Sequence, residues 1–314
     1  MTGPLLPSAR RRPEAMPIAL LVAVTAVWGS TFVVVKSAVA HMAVMDFLAW
    51  RFALATIVMV AIRPRCLSRL SRRGLVEGVG LGLALGAGYV TQTFGLEHTS
   101  AAISGFITGL FVVFTPLLSG VLLRRRISAA AWLATALAGG GLALISLERL
   151  GFGAGEWLTL GCAFFFALQI VGLGEWSGDN DPYALCVIQL LTAATCCVVA
   201  AAPSSLAPPP DLGVWAAVVV TAVLATGVAF LVQTWAQSIL SATRAAIVMT
   251  MEPVFAGISA AIAGEVLGWR VLVGGAMVLV AMYVVELGPA PRGLRASRRD
   301  SEATMPKGDR SRLQ

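Results

Sequence analysis

The residues with the greatest chemical capacity lie in apolar surroundings. Glu252 stands beside Pro253 near the middle of an apolar stretch running from Leu231 to Gly264. A carboxylate at membrane depth costs several kcal/mol even on lenient insertion scales, so it faces a protein interior or a water-filled cavity. There it can carry a coupling proton or bind a substrate ammonium. The alternative is a structural acid, hydrogen-bonded to a neighbouring helix where Pro253 withholds a backbone N–H and loosens the turn. Gln92, Gln169 and Gln233 are neutral polar groups within similar runs, with Trp28, Tyr89, Phe166 and Phe230 close in the pattern. This set suits the lining of a polar and aromatic cavity for a small solute. As interhelical glue alone, such amides contribute only ~0.6–2 kcal/mol each. Arg51 lies six or seven residues into its run. It reads either as a structural tie between helix ends or as the cation for a substrate carboxylate. Arg244 precedes Glu252 by eight positions, ~12 Å along a helix, and reads as a snorkelling cation rather than its partner. Lys36 reads as an interfacial anchor, and Glu265 and Arg270 as surface residues flanking a short turn.

Other chemistries lack their residues. The five cysteines show no metal spacing or paired framework, and four lie inside apolar runs, where Cys acts as a small hydrophobe. Two histidines, His41 and His98, give little support to a buried metal centre. Gly174 through Gly178 resembles a serine-hydrolase turn but departs from Gly-x-Ser-x-Gly. There is no HExxH and no Walker A pattern. No metal or cofactor is expected, and any transport must run on a gradient or be passive.

The elements that must position these residues follow from composition. The 314 residues are 58% hydrophobic and only 12% charged, against roughly 25% charged in a soluble domain. Mean hydropathy is +0.84. A water-soluble globule is excluded. The net charge of +7 could suggest nucleic acid, but the arginines sit in short clusters between apolar runs, as in cytoplasmic loops of membrane proteins. Arg10, Arg11 and Arg12 before an apolar run resemble a signal peptide, yet the run from Pro17 to Val35 is too long for one. It reads as an uncleaved first span.

Ten apolar segments are expected, near 17–36, 45–62, 75–95, 101–123, 128–147, 155–174, 183–202, 213–235, 243–264 and 269–287. Each has about the ~20 residues that a helix needs to cross the hydrocarbon core. Barrel strands would instead be short and alternating. Of the 23 Lys and Arg, 18 fall in four clusters: the N-tail, 63–73, 124–126 and the C-tail. With ten spans all four share one side, so both termini are expected in the cytoplasm. The tail from Gly288, rich in Arg, Ser, Pro and Gly, is expected to be disordered.

The two halves echo each other. Gly86, Tyr89, Gln92, Thr93, Phe94, Ser100 and Ala101 match Gly227, Phe230, Gln233, Thr234, Trp235, Ser241 and Ala242 at a constant offset of 141. Trp28, Thr31 and Phe32 sit against Phe166, Gln169 and Ile170, and Arg51-Phe52 against Gln189-Leu190, at offset 138. Five spans separate the copies, so the second enters from the opposite face. That is an inverted repeat, a plan that places a midplane site between halves. Gly78, Gly82 and Gly86 form a small-residue seam for close helix packing, and Gly139-Gly140-Gly141 reads the same way.

With these motifs in place, the chain resembles EamA-type transporters of the drug/metabolite transporter superfamily. The resemblance rests on Ala26-Val-Trp28-Gly29-Ser30-Thr31-Phe32, Arg51-Phe52-Ala53, Thr99-Ser100-Ala101-Ala102 with Gly105-Phe106-Ile107, Thr115-Pro116, Glu252-Pro253 and Gly264-Glu265. It implies an all-α integral membrane protein of ten transmembrane helices in two inverted five-helix repeats. The expected layout is a cytoplasmic N-tail over 1–16, a first EamA-like repeat over 17–147, a second over 155–287, and a basic cytoplasmic C-tail over 288–314. The resemblance also implies efflux of a small organic metabolite or drug-like solute across the cell membrane, plasma or inner, by alternating access. Protons are the candidate coupling ion, and a homodimer is left open. One departure is Arg124-Arg125-Arg126, where the first repeat of such proteins often has Gly-Glu. The rival readings are a membrane-embedded enzyme, which needs convergent His, Asp or Ser groups, and a passive channel or lipid scramblase, which needs an open polar path.

Overall fold

A computed structural model describes residues 15–124, 129–146, 153–204, 206–240 and 242–287. The expected C-tail, most of the N-tail, and Arg125 and Arg126 lie outside these residues. Every regular element among the described residues is helical. In a lipid environment the helix satisfies all backbone polar groups within one segment, which is why apolar runs of this length adopt it.

Helix α1 spans Ala15–Val39, α2 Val44–Ile62 and α3 Arg72–His98, with a short 3-10 turn Cys66–Arg69 before α3. Helices α4 (Ala101–Thr108) and α5 (Phe111–Leu122) form one interrupted run, followed by α6 (Ala129–Ser146). The second half holds α7 (Ala154–Trp176) and α8 (Pro182–Ala201). It continues with α9 (Leu212–Ala222), a π turn Val223–Val228 and α10 (Ala229–Gln237). Helices α11 (Ala242–Met249) and α12 (Met251–Ile262) are again interrupted, and α13 (Trp269–Leu287) closes the chain. Seven helical runs among the described residues are long and apolar enough to cross a membrane. They are α1, α2, α3, α4–α5, α7, α8 and α9–α10.

The chain punctuates these helices with polar caps. Ser71 and Ser100 accept from Gly74 N and Ile103 N at 3.0 and 3.1 Å. Asp181 caps α8 just before Pro182, and Asp211 accepts from Val214 N at 2.9 Å. Each satisfies a backbone donor that the first helical turn leaves without a carbonyl partner.

The expected weakening of the helix at Pro253 takes another form. The break falls at Thr250, so Pro253 is the third residue of α12. There its missing N–H is one that no carbonyl would have bonded, and the proline costs little. The break also puts Glu252 in the first turn of α12, at the end of the helix dipole that favours an anion.

Packing rests on small residues. Helix α3 runs along α7 and α8, α2 along α8, α1 along α12, and α6 along α13. Gly82 allows the α3–α8 contact: a Cβ there would fall 2.7 Å from the Gln189 carbonyl oxygen. Gly29 does the same for α1 and α12, where a Cβ would meet Phe255 Cβ at 2.5 Å and Glu252 O at 2.8 Å. Gly29→Ala is therefore expected to force α1 off the turn that carries Glu252, at ~1–3 kcal/mol, the usual cost of overpacking. Thermal unfolding in detergent should show a lower midpoint for it. Gly80→Ala, at a position with nothing within 4 Å, should leave the midpoint unmoved.

Candidate functional site

The polar and aromatic residues singled out in the sequence meet at one cavity of ≈ 40 Å³. At ~10–15 Å³ of such space per water, its volume suits a few waters and is too small for an organic solute. Trp28, Arg51, Tyr89, Gln92, Phe166, Gln169, Phe230, Gln233 and Glu252 all line it.

The π turn organises one wall. A wider turn frees carbonyls that an α-helix would occupy, and Trp28 Nε1 donates to Ala225 O at 2.8 Å. One residue on, Thr226 Oγ1 accepts from Arg51 Nε at 2.8 Å. The Arg51 guanidinium lies 4.5 Å above the Tyr89 ring, within cation–π range. Tyr89 makes edge contacts with Phe52 and Phe166 at 5.2 Å and with Phe230 at 5.9 Å, while Phe230 sits 5.3 Å from Trp28.

The glutamines form chains rather than isolated contacts. Gln233 Nε2 donates to Gln169 Oε1 at 3.4 Å, and Gln169 Nε2 to Gln189 Oε1 at 3.0 Å. Gln189 Nε2 then reaches Leu185 O at 3.3 Å and Thr234 Oγ1 at 3.5 Å. Gln92 Nε2 donates to Thr108 Oγ1 at 3.3 Å, and Gln233 Nε2 lies 3.8 Å from Met249 Sδ. These amides thus join helices, and Gln92, Gln169 and Gln233 face the cavity at the same time. Glu252 is 6% exposed, and no donor among the described residues bonds its carboxylate.

Residues paired at offsets 138 and 141 line the same space: Trp28 with Phe166, Thr31 with Gln169, Phe32 with Ile170, Tyr89 with Phe230, and Gln92 with Gln233. Glu252 breaks the correspondence, because Phe111 stands 141 residues before it. The acid therefore has no counterpart in the first half. Gln189, Thr226, Phe111 and Met249 were not singled out for the site. For Gln189 a signal existed, since it occupies the position matched to Arg51. The side chain of Arg244 lies outside the described residues.

Ion pairs close the two ends of the bundle. At one end Lys36 Nζ meets Glu265 Oε1 at 3.2 Å. Glu265 was expected to be a surface residue. Instead its two oxygens accept from Ala101 N at 3.0 Å and Ala102 N at 3.2 Å, so it anchors the start of α4. Partial burial pushes the Glu265 carboxyl up, but the two backbone donors and Lys36 outweigh it and hold it below its ordinary value. A lowered value means the anchoring is present above the unfolded carboxylate range, ~4.3, and is lost as pH falls through the lower folded value. The wild type is thus expected to unfold at a higher temperature than Glu265→Gln at neutral pH. The gap should close below about pH 4, as read by paired melts across pH. At the other end Arg63 Nη2 lies 3.5 Å from Asp181 Oδ2. Glu77 there accepts from Arg73 Nε at 2.7 Å and from Asn180 Nδ2 at 2.9 Å.

Known proteins share this pattern of sequence and fold. The EamA-like transporter family matches residues 15–147 and again 153–287. A protein of Archaeoglobus fulgidus named "Uncharacterized transporter" is 30% identical over 268 residues, 85% of this chain and 84% of that protein. One crystal structure superposes over 88% of this chain and 98% of its own with a TM-score of 0.63. At 20% identity that likeness concerns the fold alone.

Proposed function

The chain belongs to the EamA-like transporter family, within the drug/metabolite transporter superfamily and multi-pass in the membrane, and from that premise we propose that it carries a small organic solute by alternating access. In this reading ten helices form two inverted five-helix repeats, first over 17–147 and then over 155–287. The halves rock about the shared cavity. Transport is driven by a gradient, with protons as the coupling ion and Glu252 as their carrier, and its direction is export through the plasma or inner membrane. The basic clusters of the sequence support a cytoplasmic position for both chain ends.

One observation carries the reading. Residues that correspond between the halves converge on a single cavity, and the acid in that cavity sits where a helix is broken. Broken helices at a repeat interface supply the ion and substrate contacts of many secondary carriers. Among the described residues the cavity lining includes no His, Asp or Ser, so it offers little to the enzyme reading. Its narrowness argues against an open polar path.

Counterflow in proteoliposomes tests the proposal. Labelled solute should accumulate transiently against unlabelled solute trapped inside, which a channel cannot do. Flux without counterflow, or product formation without flux, would reject the carrier. Tagged termini should both be labelled from the cytoplasmic side, and opposite labelling would reject the ten-span arrangement.

A further inference from the structure

Arg51 is 1% exposed and among the largest fully buried side chains of the protein. A guanidinium keeps its charge at any physiological pH. Two of its surfaces are occupied, Nε by Thr226 and one face by Tyr89. Its Nη2 is buried without a hydrogen-bond partner, and none of the ion pairs among the described residues involves it. Leaving a charged donor unsatisfied in the interior is costly. A tie between helix ends would be complete with all its donors bonded. This one is bonded at Nε and unbonded at the buried Nη2, on a residue that lines the cavity.

We propose that Arg51 Nη2 is the docking point for the carboxylate of a flat, apolar-bodied organic monocarboxylate, an inference that rests on the carrier reading above. The guanidinium fork suits the planar geometry of a carboxylate. Thr226 and Tyr89 fix its orientation in advance, so little side-chain freedom is lost on binding. Trp28, Phe166 and Phe230 surround the site with aromatic faces that favour an apolar body. A phosphate or dicarboxylate would bring a second negative charge, and Arg51 is the one cationic side chain among the described lining residues. A simple acid and a zwitterion bearing an added ammonium share the Arg51 contact. Glu252 distinguishes them, since only the zwitterion gains from its carboxylate.

The test uses the full chain in lipid nanodiscs and four probes of one aromatic body: 3-phenylpropionate, its amide, 3-phenylpropylamine and the 2-amino acid. Binding is read from tryptophan fluorescence and calorimetry. Either carboxylate probe is expected to bind wild-type protein about tenfold or more tightly than the amide, the gain of one charge-assisted hydrogen bond. Arg51→Gln should bring that ratio within about twofold, and Arg51→Lys should keep part of it by retaining the charge without the fork. Tighter binding of the 2-amino acid that Glu252→Gln removes would identify the zwitterion. The wild-type comparison needs no variant to fold. Amide binding equal to the carboxylate, or a ratio that survives Arg51→Gln, overturns the proposal. Counterflow of other solutes without carboxylate preference overturns it while leaving the carrier standing. Arg51-dependent carboxylate binding without any exchange supports the docking site and rejects the carrier.

Discussion

Glu252→Gln is expected to abolish gradient-driven accumulation while leaving solute exchange largely intact. Glutamine keeps the shape and hydrogen-bonding capacity of the side chain but cannot take up or release a proton. The wall of the cavity should therefore survive, since Glu252 supports no neighbour by a hydrogen bond among the described residues. Its backbone is held by the contact with Gly29, which the change does not touch. Uphill accumulation under a proton gradient should fall about tenfold or more, a loss of at least ~1.4 kcal/mol of coupling. Exchange of labelled for unlabelled solute moves no net proton and should change far less. The pH profile of uptake between about 5 and 8 should flatten, because the group that binds and releases the proton is gone. Glu252→Asp keeps a carboxyl and should retain a sloping profile. An unchanged profile in Glu252→Gln would remove this residue from the mechanism.

The positions of apolar runs and the polar residues within them were legible in the sequence, because a charge or amide in a long hydrophobic stretch is conspicuous against its surroundings. The spacing between halves made the cavity readable too: Gln92 and Gln233, or Tyr89 and Phe230, stand at a fixed distance along the chain and line the same cavity. What escaped depends on contacts between distant segments. The π turn at Val223–Val228 carries no proline, and Thr226 within it is a weak polar signal, yet the turn supplies the acceptors for Trp28 and Arg51. The break at Thr250 lies three residues before the proline that drew attention, since a proline is best tolerated in a first turn. Glu265 looked like a surface acid because its partners are Lys36, 229 positions away, and the amides of Ala101 and Ala102. Nothing local to Gly264-Glu265 announces them.

Among the uncharged residues, Gln169→Leu should have the largest effect, because Gln169 stands in the middle of a chain rather than at its end. It accepts from Gln233 and donates to Gln189. Leucine fills similar space but leaves Gln189 Oε1 without its partner and Gln233 Nε2 with only the weak Met249 sulfur at 3.8 Å. Two buried groups left unsatisfied cost ~1–3 kcal/mol each in a dry interior, though amides within membranes more often fall near ~0.6–2. A combined loss of ~2–4 kcal/mol is therefore expected in thermal or denaturant unfolding. Transport should fall about tenfold, since Gln233 would no longer be held against the cavity. Adding Gln189→Leu removes one of the orphaned acceptors, so the double variant should lose less stability than the two single losses together. That recovery is the mark of a network, because independent sites would simply add. Strict additivity would mean that the three glutamines merely fill space between α7, α8 and α10. Coupling confined to stability, with transport unaltered, would keep the network and remove it from the solute's path.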